Sequence, residues 1–300
     1  MELTFWGVRG SFPVARPHVR MFGGNTPCVQ VSAEGQHLIL DAGTGLRRLG
    51  LKLAAEGFPT PLSLLVSHPH WDHIQGFPYF EPAYHQDAEI SICSIRRGKD
   101  TLESLLSGQQ HIAFFPIPLE RLPSRVRFME MEEAEPVELS GFRVTTRRLN
   151  HPGISSGFRL ERGGAVLAYL CDVAPALDLL LGEPRPGLSR EAFQRELFEN
   201  QVLLADGADA VIFDTFFTAA EYAEHRHWGH STLDHGLEVC RLAGARNLFM
   251  FHHNPERSDA DLAALFESQR HLGERQGTRI LVAGEGQRWS VEEGRLAACG

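Results

Sequence analysis

Apolar residues fall into short, strand-sized runs over the first third of the chain and into helical repeats over the last third. Residues 3–8, 28–32 and 37–41 read as strands separated by Gly and Pro punctuation. Leu46, Leu49 and Leu53 then recur at helical spacing and Gly57 follows as a stop, so the pattern predicts a helix over 44–56. Residues 62–67 form a continuous apolar run, as in a strand buried on both faces. The middle gives a strand over 89–94 and a helix near 100–109, then a proline-punctuated stretch whose topology the pattern leaves open. Residues 142–147, 157–161 and 166–171 read as three successive strands. Beyond them the order becomes helix, strand, helix, strand: Phe193, Leu197 and Leu204 precede a strand over 210–214, and Leu233, Leu237 and Cys240 precede one over 247–251. Ser231 with Asp234 and Ser258 with Asp261 match capping boxes, and the second opens an apolar stripe of Leu262, Leu265, Phe266 and Leu272. No repeat or linker interrupts the chain, so one domain spanning 1–300 is expected, an α/β sandwich in which helices cover sheets.

Composition narrows the partners. With 300 residues and 43% hydrophobic content the chain can bury a large core. Its 29 Lys and Arg against 38 Asp and Glu leave a net charge of −9, which argues against a general binder of nucleic acid or anionic membrane. A local basic groove of Arg96, Arg97 and Lys99, or of Arg143, Arg147 and Arg148, is compatible with that balance, with solvated faces the plainer reading. The N-terminus lacks a charged start and an apolar signal stretch, which points to the cytoplasm, and no run approaches the length of a membrane helix. The five cysteines are odd in number and never in a Cys-x-x-Cys pair, as expected of reduced thiols filling the core.

The chemistry concentrates in Ser67-His68-Pro69-His70-Trp71-Asp72-His73, directly after a buried strand. Alternate residues of an extended segment project to one side, so His68 and His70 can share an ion. Asp72 and His73 fall where the chain turns into a helix and can reach a second. Each cation wants about four to six donors, so others must come from elsewhere. His151, Asp172 and His252 each sit at the carboxyl end of an expected strand, where sites of layered α/β proteins gather. Asp41 and Asp214, which also end strands, are candidates to orient ligating histidines, Asp214 foremost. Gly24-Asn25-Thr26 and Gly43-Thr44-Gly45 offer backbone N–H groups for a phosphate, although tight turns explain them equally well. Trp71 and Trp228 are candidate pocket walls or ordinary packing.

Those residues resemble the metallo-β-lactamase fold superfamily. More narrowly, Phe5-Trp-Gly-Val-Arg-Gly-Ser11, Gly23-Gly-Asn-Thr26, Leu40-Asp-Ala-Gly-Thr-Gly45, His70-Trp-Asp-His-Ile-Gln-Gly76, Asn150-His-Pro-Gly153, Gly229-His-Ser-Thr232 and Phe251-His-His-Asn-Pro255 are similar to its ribonuclease Z-like and cyclic phosphodiesterase-like hydrolases. The likeness spans nearly the whole chain. It implies a four-layer αββα sandwich with two divalent cations, zinc first and manganese or iron as alternatives, in the groove between two sheets. It further implies His68, His70 and His151 on one cation, Asp72, His73 and His252 on the other, and Asp172 between them. Asp72 and His230 are the catalytic candidates: His230 matches a histidine that lies beside the site without ligating, as a general acid or merely as a helix-capping neighbour. His253 can contact substrate, but alternation turns it away from His252 and favours a packed or exposed neighbour. The chain lacks the Gly- and Pro-rich arm with which ribonuclease Z enzymes grip transfer RNA, so a long nucleic-acid substrate is not expected.

The expected activity is hydrolysis of a small cyclic or linear nucleotide, or a related phosphodiester, by a metal-activated water. The rivals keep the metals but cleave a lactone, thioester or β-lactam, or dispense with catalysis in a metal-bearing sensor or interaction module. Homodimerisation is common among relatives and compatible with the sequence.

Overall fold

The computed structural model describes residues 1–58, 61–177, 179–180 and 187–299. Among them the chain forms fifteen strands. β1 to β5 are Glu2–Gly7, Cys28–Ala33, Gln36–Leu40, Leu62–Leu65 and Glu89–Ile95. β6 to β10 are Arg125–Met131, Val137–Leu139, Phe142–Leu149, Ser155–Arg162 and Ala165–Leu170. β11 to β15 are Ala210–Asp214, Asn247–Phe251, Arg279–Val282, Arg288–Glu292 and Arg295–Ala298. The α-helices are α1 (Gly45–Glu56), α2 (Trp71–Ile74), α3 (Leu102–Gln109), α4 (Arg190–Ala205), α5 (Ala219–His225), α6 (Leu233–Ala243) and α7 (Asp259–Gln276).

The strands make two sheets, ordered β15-β14-β1-β2-β3-β4-β5-β6 and β13-β12-β11-β10-β9-β8-β7. In the first, β3 to β6 run parallel, with α1 crossing from β3 to β4 and α3 from β5 to β6. In the second, β10 to β13 run parallel, joined through α4, α6 and α7. Inward residues of both sheets, among them Phe5, Val29, Leu40, Phe142, Phe158, Tyr169 and Phe251, form one buried layer. Leu46, Leu49 and Leu53 of α1 pack on the outer face of the first sheet, and Leu197, Leu204, Leu237 and Cys240 lie against or beside the outer face of the second. The two sheets thus pack face to face and the helices bury their apolar sides on the outer faces, which gives the expected αββα layering.

The parallel segments place their carboxyl ends at one rim. There Ser156 N–H, opening β9, donates to the Ser67 carbonyl across the sheets at 3.1 Å. No helix among the described residues is long and apolar enough to cross a membrane. The five cysteines are unpaired, four of them buried.

The pattern located the strands β1 to β5 and β8 to β12 to within two residues. It missed β6, β7 and the run from β13 to β15. The box expected at Ser231 does not form: α6 is capped one residue later by a single bond, the Thr232 hydroxyl accepting from His235 N–H, whereas Ser258 and Asp261 form theirs as read. A further box, Thr218 with Glu221, opens α5 unforeseen.

Candidate metal centre

Strand ends build the centre. β4 ends at Leu65, and a little beyond it Pro69 disfavours a helical turn at His68, the residue before it. The chain then bends into the single turn of α2, which carries Asp72 and His73 inward and leaves His70 at the exposed rim. His151 follows β8, Asp172 follows β10, and His252 follows β12. Asp41, Asp172 and His252 all adopt positive φ, at 59°, 53° and 57°. Aspartate and histidine tolerate this left-handed region better than most residues, and such strain gathers at functional sites.

The structure brings together all seven side chains implied as ligands. The Asp172 carboxylate lies at the middle with its two oxygens divided. Oδ1 is 3.1 Å from His73 Nε2 and 2.9 Å from His252 Nε2. Oδ2 is 3.5 Å from both His68 Nε2 and His151 Nε2. His70 joins the second group, its Nδ1 3.1 Å from His151 Nε2. Asp72 joins the first, its Oδ2 3.3 Å from His73 Nε2 and 3.2 Å from His252 Nε2. One ligand atom from each of His68, His70, His151 and Asp172 lies within 4.8 Å of the others.

These rings are held from behind. Asp41 accepts from His73 Nδ1 at 2.8 Å, from Ser67 N–H at 2.7 Å, from the Ser67 hydroxyl at 2.9 Å and from the Tyr169 hydroxyl at 2.7 Å. His151 Nδ1 donates to the Gly229 carbonyl at 2.8 Å. His68 Nε2 and His73 Nε2, both buried and facing the cluster, have no hydrogen-bond partner. One ring nitrogen fixed by an oxygen and the other left bare is the arrangement of a metal-ligating histidine. Imidazoles and carboxylates are the donors that zinc, manganese and iron accept. The residues therefore fit the divalent cations that the resemblance implies.

Charge follows from crowding. Burial pushes the His151 ring down to about 3, against the pull of Asp172, and lowers His68 well below the usual histidine range. Burial also opposes charge on His252 and His73, but Asp172 and Asp72 outweigh it, lifting His252 to about 10 and His73 well above the usual histidine range. Asp72 and Asp172 lie far below ordinary carboxylates: burial favours their neutral forms, yet His73 and His252 override it. Buried anions with cations around them are the balance that bound metal would replace.

His230 lies beside the cluster. Its Nδ1 donates to Asp214 Oδ2 at 3.0 Å and stands 3.8 Å from Asp172 Oδ2, while the Phe216 ring stacks on it at 4.4 Å and 15°. Asp214, Asp172, His230 and His252 can also group around one ion. Asp41 and Asp214 thus both orient histidines.

Several expectations change. The N–H groups of Asn25, Thr26, Gly43, Thr44 and Gly45 are satisfied by Glu285, Thr44, Pro27 and Thr26, so those turns offer little to a phosphate. Arg96, Arg143 and Arg148 pair with glutamates and Arg147 with Asn200, so the arginine runs do not make an open basic groove. His253 is buried, with Nε2 donating to the Ala283 carbonyl, and burial pushes it down to about 3. Trp228 packs on His225 at 4.8 Å, whereas Trp71 is 65% exposed and lines a groove.

Sequence reading missed four contributors. Ser11, at φ 64°, donates its backbone N–H to Asp72 Oδ2 at 2.8 Å. Gly10 leaves room for His252: a Cβ there would fall 2.5 Å from its Nδ1. Tyr169 and Phe216 complete the set. Only Tyr169 carried a usable signal, as the inward position of β10 two residues before Cys171.

Residues 36–253 match the family model described as the beta-lactamase superfamily domain, and the chain belongs to that superfamily. Among curated relatives, Ribonuclease Z of Archaeoglobus fulgidus is 24% identical, covering 91% of this chain and 93% of its own. The metallo-β-lactamase fold protein YhfI of Bacillus subtilis superposes with a TM-score of 0.68 at 16% identity, over 96% of this chain and 98% of its own. A diphosphatase of the PhnP family superposes with a TM-score of 0.61 at 18% identity, over 97% and 98%.

Proposed function

We propose that the protein is a metal-dependent hydrolase which holds two divalent cations, zinc foremost, and cleaves small cyclic or linear nucleotides or related phosphodiesters. The observation that carries this reading is the divided Asp172 carboxylate, with His68, His70 and His151 toward one oxygen and Asp72, His73 and His252 toward the other. Cations bound there supply Lewis acidity and a nucleophile at neutral pH. The chain's own residues do the rest. Asp41 and the Gly229 carbonyl fix the tautomers of His73 and His151, and Ser11 N–H orients Asp72. Asp214 holds His230 Nδ1–H, leaving Nε2 to pass a proton to the departing alkoxide.

Both the ribonuclease and the diphosphatase among its relatives support a phosphorus-centred bond over a lactone or thioester. The net charge of −9 and the paired arginines favour a small substrate over a long polyanion. The test is a rate comparison on zinc-loaded protein among a cyclic nucleotide, a dinucleotide, a transfer RNA precursor, a lactone and a thioester. Turnover of the first two is expected. Turnover confined to the lactone or thioester, or to the RNA, overturns the substrate assignment; turnover of none, with metal bound, overturns catalysis.

A further inference from the structure

A second feature of the rim is built from rings that have no reason to face water. Trp71, between His70 and Asp72 in sequence, is 65% exposed, Tyr79 is 57% exposed and Phe114 is 78% exposed. Together with Phe115 and Pro69 they line a groove of about 530 Å³. Tyr79 and Phe115 meet edge to face at 5.5 Å and 83°. The loop that carries Phe114 and Phe115 is tied back, both N–H groups donating to the His111 carbonyl, at 2.7 and 3.0 Å. Isolated exposed aromatics are ordinary; several converging on one groove mark a binding surface.

We infer that this groove is the subsite for a nucleobase of the substrate. The inference rests on the phosphodiesterase reading above and names what that substrate carries. Pro69 and Trp71, which line the groove, alternate in sequence with His68, His70 and Asp72, so the groove adjoins the segment that carries these ligand candidates. The groove is not simply greasy. Gln109, over nine-tenths buried, lines it and donates its Nε2 to the Ile74 carbonyl at 3.0 Å, while its Oε1 has no partner. Gln75, half-buried, lines the groove beside it, so amide side chains border the rings where the polar edge of a base would lie. Aromatic faces take any base, and each stack is worth about 1–3 kcal/mol by alanine substitution, or roughly five- to hundredfold in binding.

The test uses two substrates with the same leaving group on zinc-loaded full-length protein: the p-nitrophenyl ester of adenosine 5′-monophosphate and methyl p-nitrophenyl phosphate. The wild type is expected to favour the nucleoside ester. Tyr79→Ala with Phe114→Ala, both surface changes, is expected to lower the ratio of the two kcat/KM values roughly five- to hundredfold, mainly through KM. Equal thermal midpoints show that the variant is folded. An unchanged ratio, or competition by octanoate as strong as by adenosine monophosphate, refutes the base subsite and leaves the phosphodiesterase reading standing. Should neither ester turn over, that reading fails instead. The groove is then judged by tryptophan quenching with adenosine monophosphate: saturable quenching weakened at least about fivefold in the variant upholds it, and its absence in the wild type ends it.

Discussion

His230 and Asp214 pose the sharpest question about single side chains. If His230 delivers a proton, His230→Ala keeps the metal and slows hydrolysis by about 10²–10⁴-fold, most with poor leaving groups. Elemental analysis beside a leaving-group series checks this, and loss of metal in the variant would move His230 into the ligand set. Asp41 acts one step back, through His73 and the Ser67 turn. Asp41→Asn is expected to weaken metal affinity about 10–100-fold, measured by competition with a chromophoric chelator. Gly10→Ala attacks from the opposite side. Its Cβ would fall 2.5 Å from His252 Nδ1, so the ring must swing away from Asp172, and bound metal should drop while the unfolding midpoint of the metal-free protein changes little.

At the level of elements, α6 shows how close packing outranks propensity. A Cβ on Gly236 would lie 2.8 Å from the Phe213 ring and 3.0 Å from Leu248, both fully buried. Gly236→Ala gains about 1 kcal/mol of helix propensity but overpacks a core, which costs about 1–3 kcal/mol. Net destabilisation in urea is the expected result. The same helix carries His235, whose Nε2 donates to Gln201 of α4 at 2.8 Å and whose pKa burial pushes down to about 4, against a weaker upward pull from Glu238. The unfolded ring titrates near 6.5, so the folded protein resists its protonation. This share of stability is complete above about pH 6.5 and is lost as pH falls toward 4, at most about 2 kcal/mol between pH 7 and 5 because the ring is only half-buried. His235→Gln should flatten that slope in unfolding measured at both pH values. Legibility also divides by element. Strands buried on both faces, such as β4 and β11, announce themselves as unbroken apolar runs. The edge strands β6 and β7 alternate only weakly because one side has no neighbour, and the pattern that would reveal them fades. The metal-competent residues were legible because histidine and aspartate are rare after buried strands. Phe216 was not, since an inward aromatic looks the same whether it fills space or steadies a polar group.

For the molecule as a whole, the centre joins segments from both sheets, and its anions lie in the interior. Cations bound to the folded chain stabilise it by mass action, about 2.7 kcal/mol at a hundredfold excess over Kd. Chelation is therefore expected to lower the unfolding midpoint by about 5–10 °C, restored by zinc, in scanning calorimetry. An unmoved midpoint would mean that metal is not held by the folded state.

Asp41, Asp172 and His252 carry a double burden, because the residue types that supply their chemistry also tolerate the backbone twist at those strand tips. A duplicated copy of this gene released from selection on catalysis would still need the twist. At these three positions it should drift toward asparagine and glycine rather than toward alanine or the branched aliphatics, leaving a readable scar of a retired enzyme.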